Sequence, residues 1–284
     1  VCEVDAKGNL ADFYGVGPLA FQPTEVQHNL FAMAMNTEES LREYLKLQLK
    51  LPLLARLGPI ARVFDFVATA APGVKEILTV GKIAYEVRER NYDLVVVDAS
   101  ASGHVVGQLA SPVALGELIG VGVVQAQTAW MIDLLKDPAT TGVVVVATPE
   151  EMPVNETLEL VGRLGTETEI DLAGVVANRV LPELFSRTEE ELFDELAESV
   201  RSDGDALTGV DDSLGATTGA GLQGVVEAAE LAVGLRRSRV PHLQRLRAGL
   251  PEGVPLVNLP MLFIRTHGTR VTHAIADLLE EELV

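Results

Sequence analysis

The sequence predicts an α/β fold, a mostly parallel sheet with helices on both faces, from three observations. Short valine-rich runs recur along the 284 residues, at Val1–Val4, Leu94–Val97, Val143–Ala147, Leu172–Ala177 and Val254–Leu259. None alternates cleanly with polar residues, which is the pattern of strands buried on both faces. Between the runs lie longer segments with apolar residues three and four apart, the spacing of a helix with one buried stripe. Strands separated by helices need crossover connections, and crossovers make neighbouring strands parallel.

Taken in order, the opening Val-Cys-Glu-Val-Asp reads as a strand already under way and predicts residues upstream of Val1. Asn36 followed three positions later by Glu39 has the form of a capping box and predicts a helix from about Glu38 to Leu49. Val74, Ile77, Leu78, Gly81, Ala84 and Val87 trace a second helical face, which ends in Arg88-Glu89-Arg90 before Asn91. Residues 35–90 are therefore expected to form a helical subdomain inserted between two strands. Leu158, Val161 and Leu164 make a further apolar face. Residues 201–222, rich in Gly, Asp, Ser and Thr, predict a flexible surface loop.

Composition narrows the function. The chain is 48% hydrophobic, ample for a core, and carries 22 basic against 41 acidic residues, a formal charge of -19. Such a surface repels phosphate backbones, so no nucleic acid partner is expected. Arg236, Arg237, Arg239, Arg245 and Arg247 cluster on a helical stretch, which reads as a solvated face. The single cysteine, Cys2, forms no internal disulfide and fits a cytoplasmic protein. The weakly charged stretch 118–132 is too short to span a bilayer. Isolated Met131 and Met152 read as core residues, and the lone Trp130 as a helix anchor in the core or an interface.

In a parallel sheet, ligands bind beyond the carboxyl ends of the strands. That rule directs attention to Asp5, Asp98, Thr148-Pro149-Glu150, Asn178-Arg179 and Pro260. Four apolar residues deliver Asp98 to the sheet end, and Ala-Ser-Ala-Ser102-Gly103-His104 follows. In phosphate-hydrolysing α/β proteins an aspartate so placed holds Mg²⁺ through water, and a following glycine offers its N–H to the γ-phosphate. The plainer alternative is a helix cap at Asp98 and a turn at Gly103. Asp5 likewise suits a carboxylate that orients an attacking water, or a strand-end cap.

Taken together, these segments resemble a known family. Asp5-Ala-Lys-Gly-Asn9-Leu-Ala-Asp12 is similar to the switch I motif Asp-Pro-Ala-His-Asn-Leu-Ser-Asp of the ArsA-like ATPases. Asp98-Ala-Ser-Ala-Ser102-Gly103-His104 resembles their switch II motif, Asp-Thr-Ala-Pro-Thr-Gly-His. Thr148-Pro149-Glu150 through Thr157 and Val175-Val-Ala-Asn178-Arg179 resemble two further family segments, in the family's order. Compact actinobacterial members are the nearest in character.

The resemblance implies a P-loop NTPase of SIMIBI type that binds ATP and Mg²⁺ and hydrolyses ATP as a dimeric switch coupled to a cargo or membrane partner. It implies Asp5 as the residue that activates water, Asp98 on Mg²⁺, Gly103 at the γ-phosphate, and Asn178 with Arg179 at adenine. Leu259 and Pro260 would lie near the base, with Asn9, Asp12, Ser102 and His104 as switch residues. The family's Walker A loop is absent from the 284 residues. Thr79-Val-Gly81-Lys82-Ile83 lacks the glycine spacing and the hydroxyl of a phosphate cradle and sits in a helical pattern. This chain alone is therefore expected to be inactive. The family's proline and histidine become Ala6 and Gly8, and its switch II threonine and proline become Ala99 and Ala101. Those departures motivate an alternative, a non-hydrolysing, ATP-sensing subunit in a heterodimer with a competent paralogue rather than a homodimer.

Overall fold

The computed structural model describes residues 1–5, 8–49, 73–100, 102–118, 122–202, 222–263 and 268–283. It is a mixed α/β fold with parallel strands flanked by helices, as expected. The chain divides into two compact units: Val1–Val145, Glu159–Gly174 and Ile264–Leu278 in the first, and Val146–Leu158, Val175–Phe263 and Leu279–Val284 in the second. Among the described residues, no helix is long and apolar enough to cross a membrane.

The first unit opens with β1 (Cys2–Glu3), α1 (Asn9–Tyr14), β2 (Thr24–Gln27) and β3 (Leu30–Ala34). Helices α2 (Thr37–Leu49) and α3 (Val74–Arg88) precede β4 (Val97–Asp98), and α4 (Ser102–Leu118) and α5 (Gly122–Lys136) follow it. The sheet order is β2-β3-β1-β4, with β1 parallel to both β3 and β4. The hairpin β2–β3 is antiparallel and was not anticipated, because its strands are short and its turn lacks Gly or Pro. Asn29 supplies the turn instead, at φ 59, a left-handed conformation that asparagine tolerates.

The expected capping box is half present: Asn36 Oδ1 accepts the N–H of Glu39 at 3.0 Å, and α2 begins at Thr37. Within the 35–90 span, residues 50–72 lie outside the described residues, while α3 packs on α2, α4 and α5. Met131 is core, 5% exposed, whereas Met152, expected in the core, is 66% exposed on the first turn of its helix. Trp130 donates Nε1–H to Gln127 and lies beneath the Arg88 guanidinium, 4.7 Å from its ring centre.

A second sheet has the order β5-β6-β7, from Val143–Ala147, Leu172–Val180 and Leu256–Pro260, with β6 and β7 parallel. Helices α6 (Glu151–Glu167), α7 (Arg187–Ser202) and α8 (Leu222–Gly249) intervene, and α9 (Thr269–Leu283) closes the described chain. Helices α7 and α8 pack through Phe193, Ala197, Val226 and Val233. Arg201 and Ser202 complete α7 and Leu222 opens α8; the rest of the expected loop lies outside the described residues. β5 corrects one expectation: its unbroken valine run predicts burial on both faces, yet Val144 and Val146 are exposed.

Candidate functional site

The sheet of the first unit brings the two aspartates to one end. β1 lies between β3 and β4, with Glu3 opposite both Ala34 and Asp98. Val4 donates its N–H to the Asp98 carbonyl at 3.0 Å. Asp98 ends β4, and Asp5 follows β1 at the same carboxyl end. The side chain of Asp98 is exposed and that of Asp5 half-buried, so both carboxylates reach solvent.

Beyond Asp98 the chain enters α4, whose first turn holds Ser102, Gly103 and His104. First-turn N–H groups have no acceptor within the helix and carry the positive end of its dipole, so they favour an anion. Gly103 and His104 are exposed, and a Cβ added to Gly103 would meet nothing within 4 Å. That leaves the backbone open to a close approach.

Beyond Asp5 the chain turns at Gly8, φ 79, and enters α1. A glycine takes this left-handed conformation without the steric cost of a side chain. It is also the N-cap position, and Gly8 has no side chain with which to hold the first helical N–H groups. Glu3 takes over that task from the strand: its Oε1 accepts the N–H of Asn9 at 3.0 Å, and the residue is 2% exposed. The second oxygen, Oε2, is buried and has no hydrogen-bond partner among the described residues. Asn9 and Asp12 point outward from α1. Sequence reasoning passed over Glu3, although a lone acid inside the apolar Val-Cys-Glu-Val run was the signal. Its neighbour Cys2 is buried in the same strand, and burial pushes its thiol up to about 11.

Lys82, rejected as a phosphate ligand, is occupied elsewhere. It lies inside α3, its side chain 5% exposed, paired with Glu43 at 2.8 Å and Glu86 at 2.6 Å, and 4.9 Å from the Phe21 ring centre. Burial pulls its ammonium down, but the hydrogen bonds it donates to the two glutamates prevail and hold it above the ordinary lysine value.

The second unit gathers the residues expected at adenine. β6 and β7 pair Ala177 with Asn258 and Val180 with Pro260, and the register shifts between them. Asn178 and Arg179 occupy this irregularity, Arg179 at φ 58, and Asn178 Oδ1 accepts the Arg179 N–H at 2.9 Å. A bulge re-aims side chains that a regular strand would point to alternate faces. Asn178 is half-buried and keeps its amide donors free of that bond, while Leu259 is buried and Pro260 half-buried beside it. Asn258, which the sequence did not single out, has a buried Oδ1 without a partner among the described residues. An amide at this place offers donors and acceptors of the kind a purine edge matches.

Three arginines of the cluster on α8 are ion-paired locally. Arg236 pairs with Glu183, Arg237 with Glu190 and Asp194, and Arg239 with Glu150. No group of three or more His, Cys, Asp or Glu among the described residues could hold a metal unaided. Asp5 and Asp98 are donors of the kind Mg²⁺ takes, one or two carboxylates with waters and phosphate oxygens completing its shell.

Comparison with known proteins agrees with the order of these segments. The chain matches the model of the family described as anion-transporting ATPase over residues 1–131 and 121–194. It is 30% identical to the ATPase BagA of Mycobacterium tuberculosis over 191 residues, 63% of this chain and 56% of that protein. It is 26% identical to an ATPase ASNA1 homolog of Entamoeba dispar over 145 residues, 40% of this chain and 44% of that one. The chain thus spans just over half the length of its mycobacterial relative. The family match runs through β1, β4, the first turn of α4 and the β6 bulge, and on that evidence the chain belongs to the anion-transporting ATPase family.

Proposed function

We propose that the complete protein binds Mg-ATP and hydrolyses it as a dimeric nucleotide switch, and that this chain supplies the switch and adenine portions. The observation that carries the proposal is the pair Asp5 and Asp98, set at one end of adjacent parallel strands. Asp98 would hold Mg²⁺ through water, and the ion would supply charge neutralisation on the phosphates. The half-buried Asp5 would orient the attacking water and accept its proton. The Gly103 N–H, at the open start of α4, would hydrogen-bond the γ-phosphate, with Ser102, His104, Asn9 and Asp12 forming the walls that respond to it.

Asn178, Arg179, Leu259 and Pro260 would receive adenine at the β6 bulge. β4 is an edge strand, and the exposed Leu94 and Val96 lead into it. In a parallel sheet such an edge suits a further strand, here one carrying the phosphate loop from outside these 284 residues. Residues 35–90 would be the helical insertion, and the loop at 201–222 a surface connection.

The test is Asp5→Asn in the full-length protein. Mg-ATP affinity is expected to stay within about threefold while turnover falls about 100-fold or more, the range for loss of a general base. Unchanged turnover would overturn the mechanism. Absence of turnover in the unaltered full-length protein, restored by adding a paralogue, would favour the ATP-sensing subunit that the changes at Ala6, Gly8, Ala99 and Ala101 suggest.

A further inference from the structure

We infer that Glu3 is the positioning residue of the first switch: its carboxylate, projecting from β1, anchors the start of α1, which follows Asp5 in the sequence. The inference rests on the proposed role of Asp5, but its structural half stands without it.

Three observations support the assignment. First, the helix following Asp5 has no cap of its own, because Gly8 occupies the N-cap position and has no side chain. A helix opening in this way leaves its first N–H groups to find acceptors elsewhere. Second, the acceptor found by Asn9 is not local or solvent but Glu3 Oε1, six residues back at 3.0 Å. The bond ties Asn9, the first residue of α1, back to β1, and Asp5 lies between the two in sequence. The main chain of Glu3 is itself fixed, since its carbonyl accepts the Met35 N–H at 2.8 Å and the residue pairs with Asp98 across the ladder. The start of α1 is therefore tied to the strand that neighbours Asp98.

Third, Glu3 is an expensive choice for its position. It is 2% exposed, and its Oε2 is buried with no partner among the described residues. A valine would fit an apolar strand without leaving an unsatisfied oxygen. Packing and strand propensity thus argue against glutamate here, and the bond to Asn9 is what the side chain supplies in return. Its strength as a carboxylate–amide bond suits a helix start that has to hold its place after Asp5 while nucleotide comes and goes.

The experiment uses the full-length protein with Glu3→Val, Glu3→Thr and Glu3→Gln. Amide hydrogen exchange is followed for residues 9–14 without nucleotide, alongside thermal unfolding and steady-state ATP turnover. Glu3→Val and Glu3→Thr are expected to keep the unfolding temperature or raise it, yet to speed exchange in residues 9–14 at least tenfold. Their kcat should fall at least tenfold with KM for ATP within about threefold, because the anchor of α1 is lost and adenine contacts are not. Glu3→Gln keeps an oxygen acceptor and should restore both exchange protection and kcat to within about threefold. Unchanged exchange in both Glu3→Val and Glu3→Thr overturns the inference. So does a drop in kcat that follows global destabilisation and is not rescued by glutamine. If the unaltered protein turns over no ATP, the proposed hydrolysis fails while the exchange result still decides the role of Glu3.

Discussion

At the scale of single residues, Lys82 and Glu3, both buried in the first unit, meet opposite fates. Lys82 is fully answered, by Glu43 and Glu86, whereas Glu3 is answered at one oxygen only. Removing the lysine strands two carboxylates, so Lys82→Met should destabilise the fold by about 3 kcal/mol, measured by urea unfolding at pH 7. Replacing Lys82 and Glu86 together by Met and Leu should recover much of that loss, because apolar residues of similar size need no partner. The pH dependence follows from direction alone. The folded-state value of Lys82 lies above its unfolded value, so its contribution is complete from neutral pH up to about 10.4 and fades as pH rises through the folded value. The gap between wild type and Lys82→Met should therefore hold from pH 7 to 9 and narrow only above that. The sequence alone did not disclose this cluster, because Glu43, Lys82 and Glu86 meet only after α2 and α3 pack. Asp5 and Asp98 were legible, since a strand ending on an acid is a local pattern. Glu3 was not: nothing local says that an acid in a strand will cap a helix six residues on.

At the scale of elements, strands and helices were read with good existence and loose boundaries. β6 extends to Val180 past the expected Ala177, because the bulge at Asn178–Arg179 lets pairing resume at Pro260. The β2–β3 hairpin escaped notice because its turn uses Asn29 in place of the usual glycine or proline. Close approach also explains a glycine whose role no periodicity reveals. A Cβ on Gly142, just before β5, would lie 2.7 Å from the Cβ of Ala173 in β6. Neither atom can swing aside, so Gly142→Ala should cost about 1–3 kcal/mol, read as a lowered urea midpoint. Gly142→Ala combined with Ala173→Gly should regain most of it, since the pair then keeps one methyl group.

At the scale of the molecule, the net charge of -19 and the paired arginines of α8 set the long-range field. Retention on duplex DNA at about 0.1 M salt should be undetectable, with any dissociation constant weaker than about 0.1 mM, checked by fluorescence anisotropy. A measurable affinity would require a basic surface that the described residues do not assemble. The family itself was legible from the order of four short segments, while the division into two units was not, because its boundary runs through β5 and β6. The bond between Val4 and the Asp98 carbonyl carries a mechanical consequence. Because β1 and β4 are laced together just short of both aspartates, the two carboxylates share one chassis, and neither strand can slide to report on nucleotide without tearing its neighbour's ladder. In the proposed switch, β1 and β4 would serve as the fixed frame.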